Sequence, residues 1–223
     1  MSSKLIAIVG PTGTGKSTSI ESLDPSETFI INVARKELPF RGAEKLYTVE
    51  NKNYKETDDA QLILKTLQSI NEKGTHIKNV VIEDSNYIMG FNMVRKATET
   101  GYMKFSLMAK DMVTLLTEAR KLRDDLKIFY FSHPETIEDE GKIVSYKMKT
   151  AGKLLDNQIV LEGLFTIALY TFVDEDKDGN PTYHFVTNNW KKLPAKSPKG
   201  MFETILIDNN LKYVCEKIDE YYE

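Results

Sequence analysis

Residues 5–18 constrain this chain more than any other stretch. Leu5-Ile6-Ala7-Ile8-Val9 is an apolar run of strand length, and Gly10-Pro11-Thr12-Gly13-Thr14-Gly15-Lys16-Ser17 follows it directly. The second segment matches G-x-x-x-x-G-K-[ST], the phosphate-binding loop. Its chemistry follows from its residues. Gly10, Gly13 and Gly15 let the backbone fold back and aim N–H groups at an anion. Lys16 then reaches the β- and γ-phosphates, and the Ser17 hydroxyl ligates Mg²⁺. Lys16 to Leu23 can open a helix whose N-terminus, at Thr18, favours negative charge. The expected nucleotide site is therefore Gly10, Pro11, Thr12, Gly13, Thr14, Gly15, Lys16, Ser17 and Thr18, with ATP and Mg²⁺ as ligands.

The rest of the chain alternates strands with helices. Thr28–Val33, Lys78–Asp84, Lys127–Ser132 and Leu164–Val173 read as strands. A helix follows a cap at Thr57 or Asp58, with Ala60, Ile63, Leu64, Leu67 and Ile70 as its apolar stripe. A longer helix covers about 103–124, and a last amphipathic one 209–222, with Cys215 on its buried stripe. This order predicts an α/β fold with a parallel sheet covered on both faces. Runs 164–173 and 181–187 flank Asp174-Glu175-Asp176-Lys177-Asp178-Gly179-Asn180 and predict a β-hairpin extension near the C-terminus. That linker begins like an EF-hand loop but has Phe185 where the twelfth-position Glu belongs. Glu203–Ile207 reads as one more strand. No repeat divides the chain, so one domain over 1–223 is expected.

Bulk properties exclude several classes. With 30 Lys+Arg against 33 Asp+Glu, the net charge is −3, so there is no global footprint for nucleic acid or membrane. The N-terminal apolar run is too short for a signal peptide or a membrane span. The single cysteine suits a reducing compartment. A cytoplasmic protein is expected.

A nucleoside triphosphatase needs a second acid beside Mg²⁺, and Val80-Val81-Ile82-Glu83-Asp84 has the form of an apolar strand tipped by acids. Asp84 is the expected metal-side acid. Glu83 points away if the strand stays regular and swings in only if the strand ends there. Glu83 and Glu37 compete as the group that activates water. His133 ends the strand expected beside the loop and is placed to contact the γ-phosphate. Two Lys groups, around Lys149 and Lys153 and around Lys196 and Lys199, are solvated surface or contacts to phosphate. Trp190 stacks a base or packs in the core.

Taken in order, the motif at 10–17, Glu83-Asp84-Ser85, Ser132-His133, Lys149-Thr150-Ala151-Gly152-Lys153-Leu154-Leu155-Asp156, Leu161-Glu162-Gly163-Leu164-Phe165 and Ala195-Lys196-Ser197-Pro198-Lys199-Gly200-Met201-Phe202 make a chain that resembles the phage-encoded P-loop ATPases of AAA/RecA-like type, linked to single-strand annealing and recombination. The resemblance spans nearly the whole sequence. It implies a RecA-like core in the host cytoplasm, with the His133 strand between the Gly10 and Asp84 strands and His133 as a γ-phosphate sensor. It further implies single-stranded DNA contacts at about 86–104 and 134–153, and Lys196 or Lys199 acting across the interface of a homo-oligomer. A phage single-strand-binding or annealing protein is an implied partner. RecA-like proteins often place a catalytic Glu just after the second strand, and here Glu37 is offset from that place. Two other readings stand beside this one. A nucleoside or nucleotide kinase fits the size, but no Arg follows Arg123 to build a lid over phosphates. A nucleotide-gated loader or regulator with little turnover fits the displaced Glu37.

Overall fold

The computed structural model of the chain describes residues 2–150 and 159–223. Its centre is β1 (Lys4–Val9), whose last five residues are fully buried. Burial on both faces explains why the run is continuously apolar and not alternating. Leu5, Ala7 and Val9 face one core, and Ile6 and Ile8 face the other. Parallel partners flank β1 on both sides: β5 (Lys127–Ser132) and β8 (Ile167–Glu175).

The sheet continues from β5 through β4 (Asn79–Glu83) and β2 (Thr28–Asn32) to β3 (Tyr54–Glu56), all parallel. On the other flank β9 (Pro181–Val186) and β10 (Leu206–Asp208) add antiparallel strands. The eight-stranded order is β10-β9-β8-β1-β5-β4-β2-β3, and a separate hairpin pairs β6 (Pro134–Asp139) with β7 (Lys142–Met148). The chain is thus α/β with a mostly parallel mixed sheet flanked by helices, and the strand of His133 does lie between β1 and β4.

Between β2 and β3 lies a four-residue helix, α1 (Ala43–Leu46). Helices α2 (Ala60–Lys73) and α4 (Met103–Ala119) lay Ile63, Leu67, Met112 and Leu115 on the face of Leu5 and Val9. The last helix, α5 (Leu211–Tyr222), covers the opposite face with Leu211, Val214, Cys215 and Ile218. Burial pushes the Cys215 thiol up to about 12, so it is a packed residue and not a nucleophile. No helix among the described residues is long and apolar enough to cross a membrane.

Several expectations need correction. The cap of α2 is Asp59, not Thr57 or Asp58; its carboxylate accepts from the N–H groups of Gln61 and Leu62. The segment after the glycine-rich loop is a six-residue 3₁₀ helix, Ser17–Ser22, not an α-helix. Its serines bond back to the chain (Ser19 to the Lys16 carbonyl, Ser22 Oγ to the Ser19 carbonyl at 2.8 Å), which tightens the turn. So short an element carries little macrodipole, and the charge at this site comes from side chains.

Residues 86–104, where the resemblance implies single-stranded DNA contacts, hold α3 (Asn86–Arg95), whose Ile88 and Met89 bury against the core, then turns over 96–102 and the start of α4. Residues 134–148 are the β6–β7 hairpin, closed by Glu140 (φ 48°) and Gly141 (φ 73°). Two positive φ values make the type I′ turn that suits strand twist.

The linker at 174–180 is the expected hairpin connection. The Asp176 carboxylate accepts from the backbone N–H groups of Asp178 and Asn180, which makes it a turn and not a cation loop.

Candidate functional site

The carboxyl ends of β1, β4 and β5 meet at one edge of the sheet, where open α/β folds place their ligands. A cleft of about 1350 Å³ opens there. Pro11, Thr12, Gly13, Gly15, Lys16, Ser17 and Thr18 line it, whereas Gly10 and Thr14 do not. Those two residues anchor the loop instead. The Thr14 hydroxyl donates to the Pro11 carbonyl at 2.8 Å and shares a 2.6 Å hydrogen bond with the Thr171 hydroxyl on β8. A Cβ at Gly10 would lie 1.7 Å from Thr171 Oγ1, so only glycine fits.

Lys16 is buried beneath the loop, with Nζ donating to the carbonyls of Gly10 (2.8 Å) and Pro11 (3.3 Å). Burial pulls its ammonium below the usual lysine range, against the opposing pull of Glu83 and Asp84. An anion within reach of Nζ would relieve that cost.

The two acids do not take the parts that strand alternation assigns. β4 ends at Glu83, and Asp84 sits in the left-handed region at φ 56°. That kink releases the alternation, so the condition for Glu83 to swing in is met. The Ser17 hydroxyl donates to Glu83 Oε1, 66 positions away in sequence, and not to Asp84. Asp84 instead accepts from Lys36 Nζ at 2.6 Å and lies 3.5 Å from His133 Nε2. Among non-glycine residues, positive φ costs of order 1–3 kcal/mol and gathers at functional sites.

The electrostatics of the neighbours diverge. Burial, then the adjacent Asp84 charge, raises the Glu83 carboxyl above the ordinary range. Burial pushes Asp84 the same way, but hydrogen bonds with His133 and Lys36 outweigh it and leave Asp84 lowered. Glu83 Oε2 is buried without a hydrogen-bond partner among the described residues, and Asp84 Oδ1 has only the long 3.5 Å approach of His133 Nε2. Such orphaned acceptors ask for a cation or a donor.

Lys36 is the residue that sequence reasoning missed. It follows Arg35, whose φ of 55° turns the chain at the end of β2. Lys36 Nζ also lies 3.5 Å from Glu83 Oε1, and Glu37 lines the same wall exposed to solvent. The signal was the stretch Arg35-Lys36-Glu37 after a strand whose neighbour ends in acids.

His133 is set by its backbone N–H, which donates to Asn86 Oδ1 at 3.2 Å, and by the Tyr87 ring at 6.1 Å. Lys149 stands near it: its N–H donates to the His133 carbonyl at 2.9 Å, and it lines a 320 Å³ pocket with Pro11, Thr12 and His133. Lys196 and Lys199 line neither cavity; the Lys196 backbone pairs with Ala168 of β8. Lys153 lies outside the described residues. Trp190 packs edge-on against Phe172 at 5.0 Å and carries the Lys191 ammonium on its face. That is a structural contact, and it uses the ring a base would need.

No known protein-family profile and no curated protein matches the chain. The case for function rests on the geometry above.

Proposed function

We propose that the chain is a Mg²⁺-dependent P-loop ATPase with a RecA-like core, whose nucleotide state governs single-stranded DNA binding and self-assembly. The observation that carries this reading is the hydrogen bond from Ser17 to Glu83. It joins the serine of the glycine-rich motif to a buried carboxylate from a different strand. A chance glycine turn has no reason to collect such a partner.

The residues fit the cation. Mg²⁺ takes oxygen donors, keeps several waters and uses few protein ligands. The Ser17 hydroxyl and Glu83, with Oε2 unpartnered, are such donors. When bound, Mg²⁺ neutralises charge on the β- and γ-phosphates. In this reading Lys16 leaves the Gly10 and Pro11 carbonyls for phosphate oxygens. Glu83 takes the metal-side place that alternation gives to Asp84. Asp84, lowered and therefore anionic at neutral pH, holds the attacking water. His133 and Lys36 face the transferring phosphoryl group, where donors stabilise developing charge.

The DNA and assembly parts rest on the family resemblance and on position. Lys149 stands beside His133, so a strand held there is coupled to the γ-phosphate end. Lys196 and Lys199, away from this chain's own cleft, are left for a neighbouring subunit's nucleotide. A phage single-strand-binding or annealing protein is the partner proposed.

Hydrolysis rate and particle size, followed while ATP, Mg²⁺ and single-stranded DNA are added in turn, test the proposal. Assembly that needs ATP, with a rate raised by DNA, is the expected outcome. Equal rates with and without DNA, and no DNA retention at low salt, would remove the DNA part.

A second reading, a nucleotide-gated binding module with little turnover, is favoured by one contact: Lys36 neutralises Asp84. Tight ATP binding with turnover no higher than that of Lys16→Ala would select it.

A further inference from the structure

The cleft extends past the glycine-rich loop in two directions, and only one of them holds the buried acids Glu83 and Asp84. The other is walled by Tyr183 from β9 and by Asp208, Asn209 and Asn210 at the end of β10, opposite Glu21 and Ser22. We propose that this second arm is a purine-nucleoside subsite, in which Tyr183 stacks on the base and Asn209 hydrogen-bonds its edge. The inference rests on the nucleotide reading above and adds to it what the nucleotide must carry beyond its phosphates.

Three observations converge. The first is direction. With the β/γ end of a triphosphate at Lys16, Ser17 and Glu83, as proposed above, its nucleoside end is left the arm without the buried acids, which Thr18, Glu21 and Ser22 line. The second is contact with the loop. A Cβ built on Gly15 would meet Asn209 Nδ2 at 2.9 Å and Tyr183 Cδ1 at 3.1 Å, so this wall touches the loop itself. The third is unspent chemistry. Asn209 Nδ2 is buried with no hydrogen-bond partner among the described residues, while the Tyr183 ring is 42% exposed.

The wall is also held in place. The Asn209 backbone N–H donates to the Tyr183 carbonyl at 3.1 Å, tying the two side chains to one another. Asn210 caps α5 by accepting from the Tyr213 N–H at 3.0 Å, and the Leu211 N–H donates to Ser22 Oγ at 3.0 Å. Side chain and loop are therefore pre-positioned, which lowers the ordering cost of binding.

The chemistry selects a purine. Every base has a π-face, but a two-ring base covers more of an exposed tyrosine. The Asn209 amide offers N–H donors and a carbonyl acceptor, which any base edge can meet, so the amide fixes the orientation of the base and the stacking area favours the larger ring system. Rotation of the Asn209 amide brings Nδ2 to a ring nitrogen and ends its isolation.

Binding of ATP, GTP, UTP and inorganic tripolyphosphate, each with Mg²⁺, tests this by calorimetry. The readout is the ratio of nucleotide affinity to tripolyphosphate affinity. In the wild type a purine nucleotide exceeds tripolyphosphate and UTP by about tenfold or more, the scale of one stacked base. Tyr183→Ala and Asn209→Ala bring that ratio toward one, and Tyr183→Phe, which keeps the ring, restores it. Whether ATP or GTP leads tells which purine is read.

An unchanged ratio in Tyr183→Ala, or a wild type that holds UTP as tightly as both purines, would overturn the subsite while leaving the phosphate site standing. A wild type that binds neither nucleotide nor tripolyphosphate would overturn both.

Discussion

The two arms of the cleft are built on opposite plans. The arm with Glu83, Asp84, Lys36 and His133 is charged and its carboxylates are buried. The arm with Tyr183 and Asn209 carries an exposed ring and a neutral amide, and its acids, Glu21 and Asp208, are open to solvent. Charge is worth most where water is scarce, so the proposed chemistry is assigned to the first arm. Recognition of a flat base needs area and a few hydrogen bonds, so it belongs to the second. The glycine-rich loop touches both arms and is the part they share.

The sharpest way to break this division is to change each acid alone. Asp84→Asn is expected to leave nucleotide binding largely intact and to cut turnover by about 10²–10⁴-fold, the usual worth of a positioned base. Steady-state hydrolysis beside equilibrium binding checks it, and retained turnover would move the role to Glu37. Glu83→Gln is expected to lose roughly tenfold or more of the Mg²⁺-dependent gain in nucleotide affinity, the cost of one charged contact.

Gly15→Ala sharpens the comparison from the shared loop. Gly15 has φ 86°, and the new methyl would press on Asn209 and Tyr183. A loss of about 1–3 kcal/mol in stability is expected from the backbone alone, read by denaturant unfolding. Weaker binding should accompany it, because both arms shift against the loop.

The smallest effects lie within the acidic arm, where the neighbours respond to pH in opposite senses. Asp84 is lowered on folding, so its contribution is present above its unfolded pKa and is lost as pH falls through the folded one. Lys36→Met removes a partner that lowers it. The expected loss is about 1 kcal/mol near neutrality, since Lys36 is half-exposed and screened, and it fades in acid. Glu83 is raised on folding, so its ionised form costs stability at neutral pH, and the cost falls as pH drops through its folded pKa. Empty Glu83→Gln should therefore be the more stable protein at neutral pH, by about 1 kcal/mol, with the advantage shrinking in acid. Unfolding curves across pH separate the two signs.

What the sequence made legible follows the same line. Apolar runs fixed by burial on two faces, β1, β4 and β5, stand within a residue or two of their expected places. So do α2 and α5, whose stripes face a core, and the β8–β9 hairpin forms with its Asp178-Gly179 turn signal, although β8 begins three residues later than expected, at Ile167. The elements that escaped are those with little apolar signal. β3 has three residues and pairs only with β2. β6 is mostly exposed and rich in acids, although Glu140-Gly141 was a readable turn. α3 buries only Ile88 and Met89, too few for a readable apolar stripe.

At the site, the contiguous motif was readable and the assembled parts were not. Lys16 and Ser17 follow from spacing. The placement of Glu83 against Ser17, and of Asp84 against Lys36 and His133, depends on a backbone kink at φ 56° that no alternation rule contains. Lys36, Tyr183 and Asn209 carry no motif at all; only the fold brings them to the loop.

Among the described residues the buried Lys16 ammonium donates to two carbonyl oxygens, and in the proposed site a phosphate takes their place. Calorimetric titration of ATP with Mg²⁺ into the wild type and into Lys16→Ala tests that most directly. Binding by the wild type that weakens by roughly a hundredfold or more in the variant is the predicted result. Equal affinity in the two proteins, or no heat from the wild type at millimolar ATP, would contradict it.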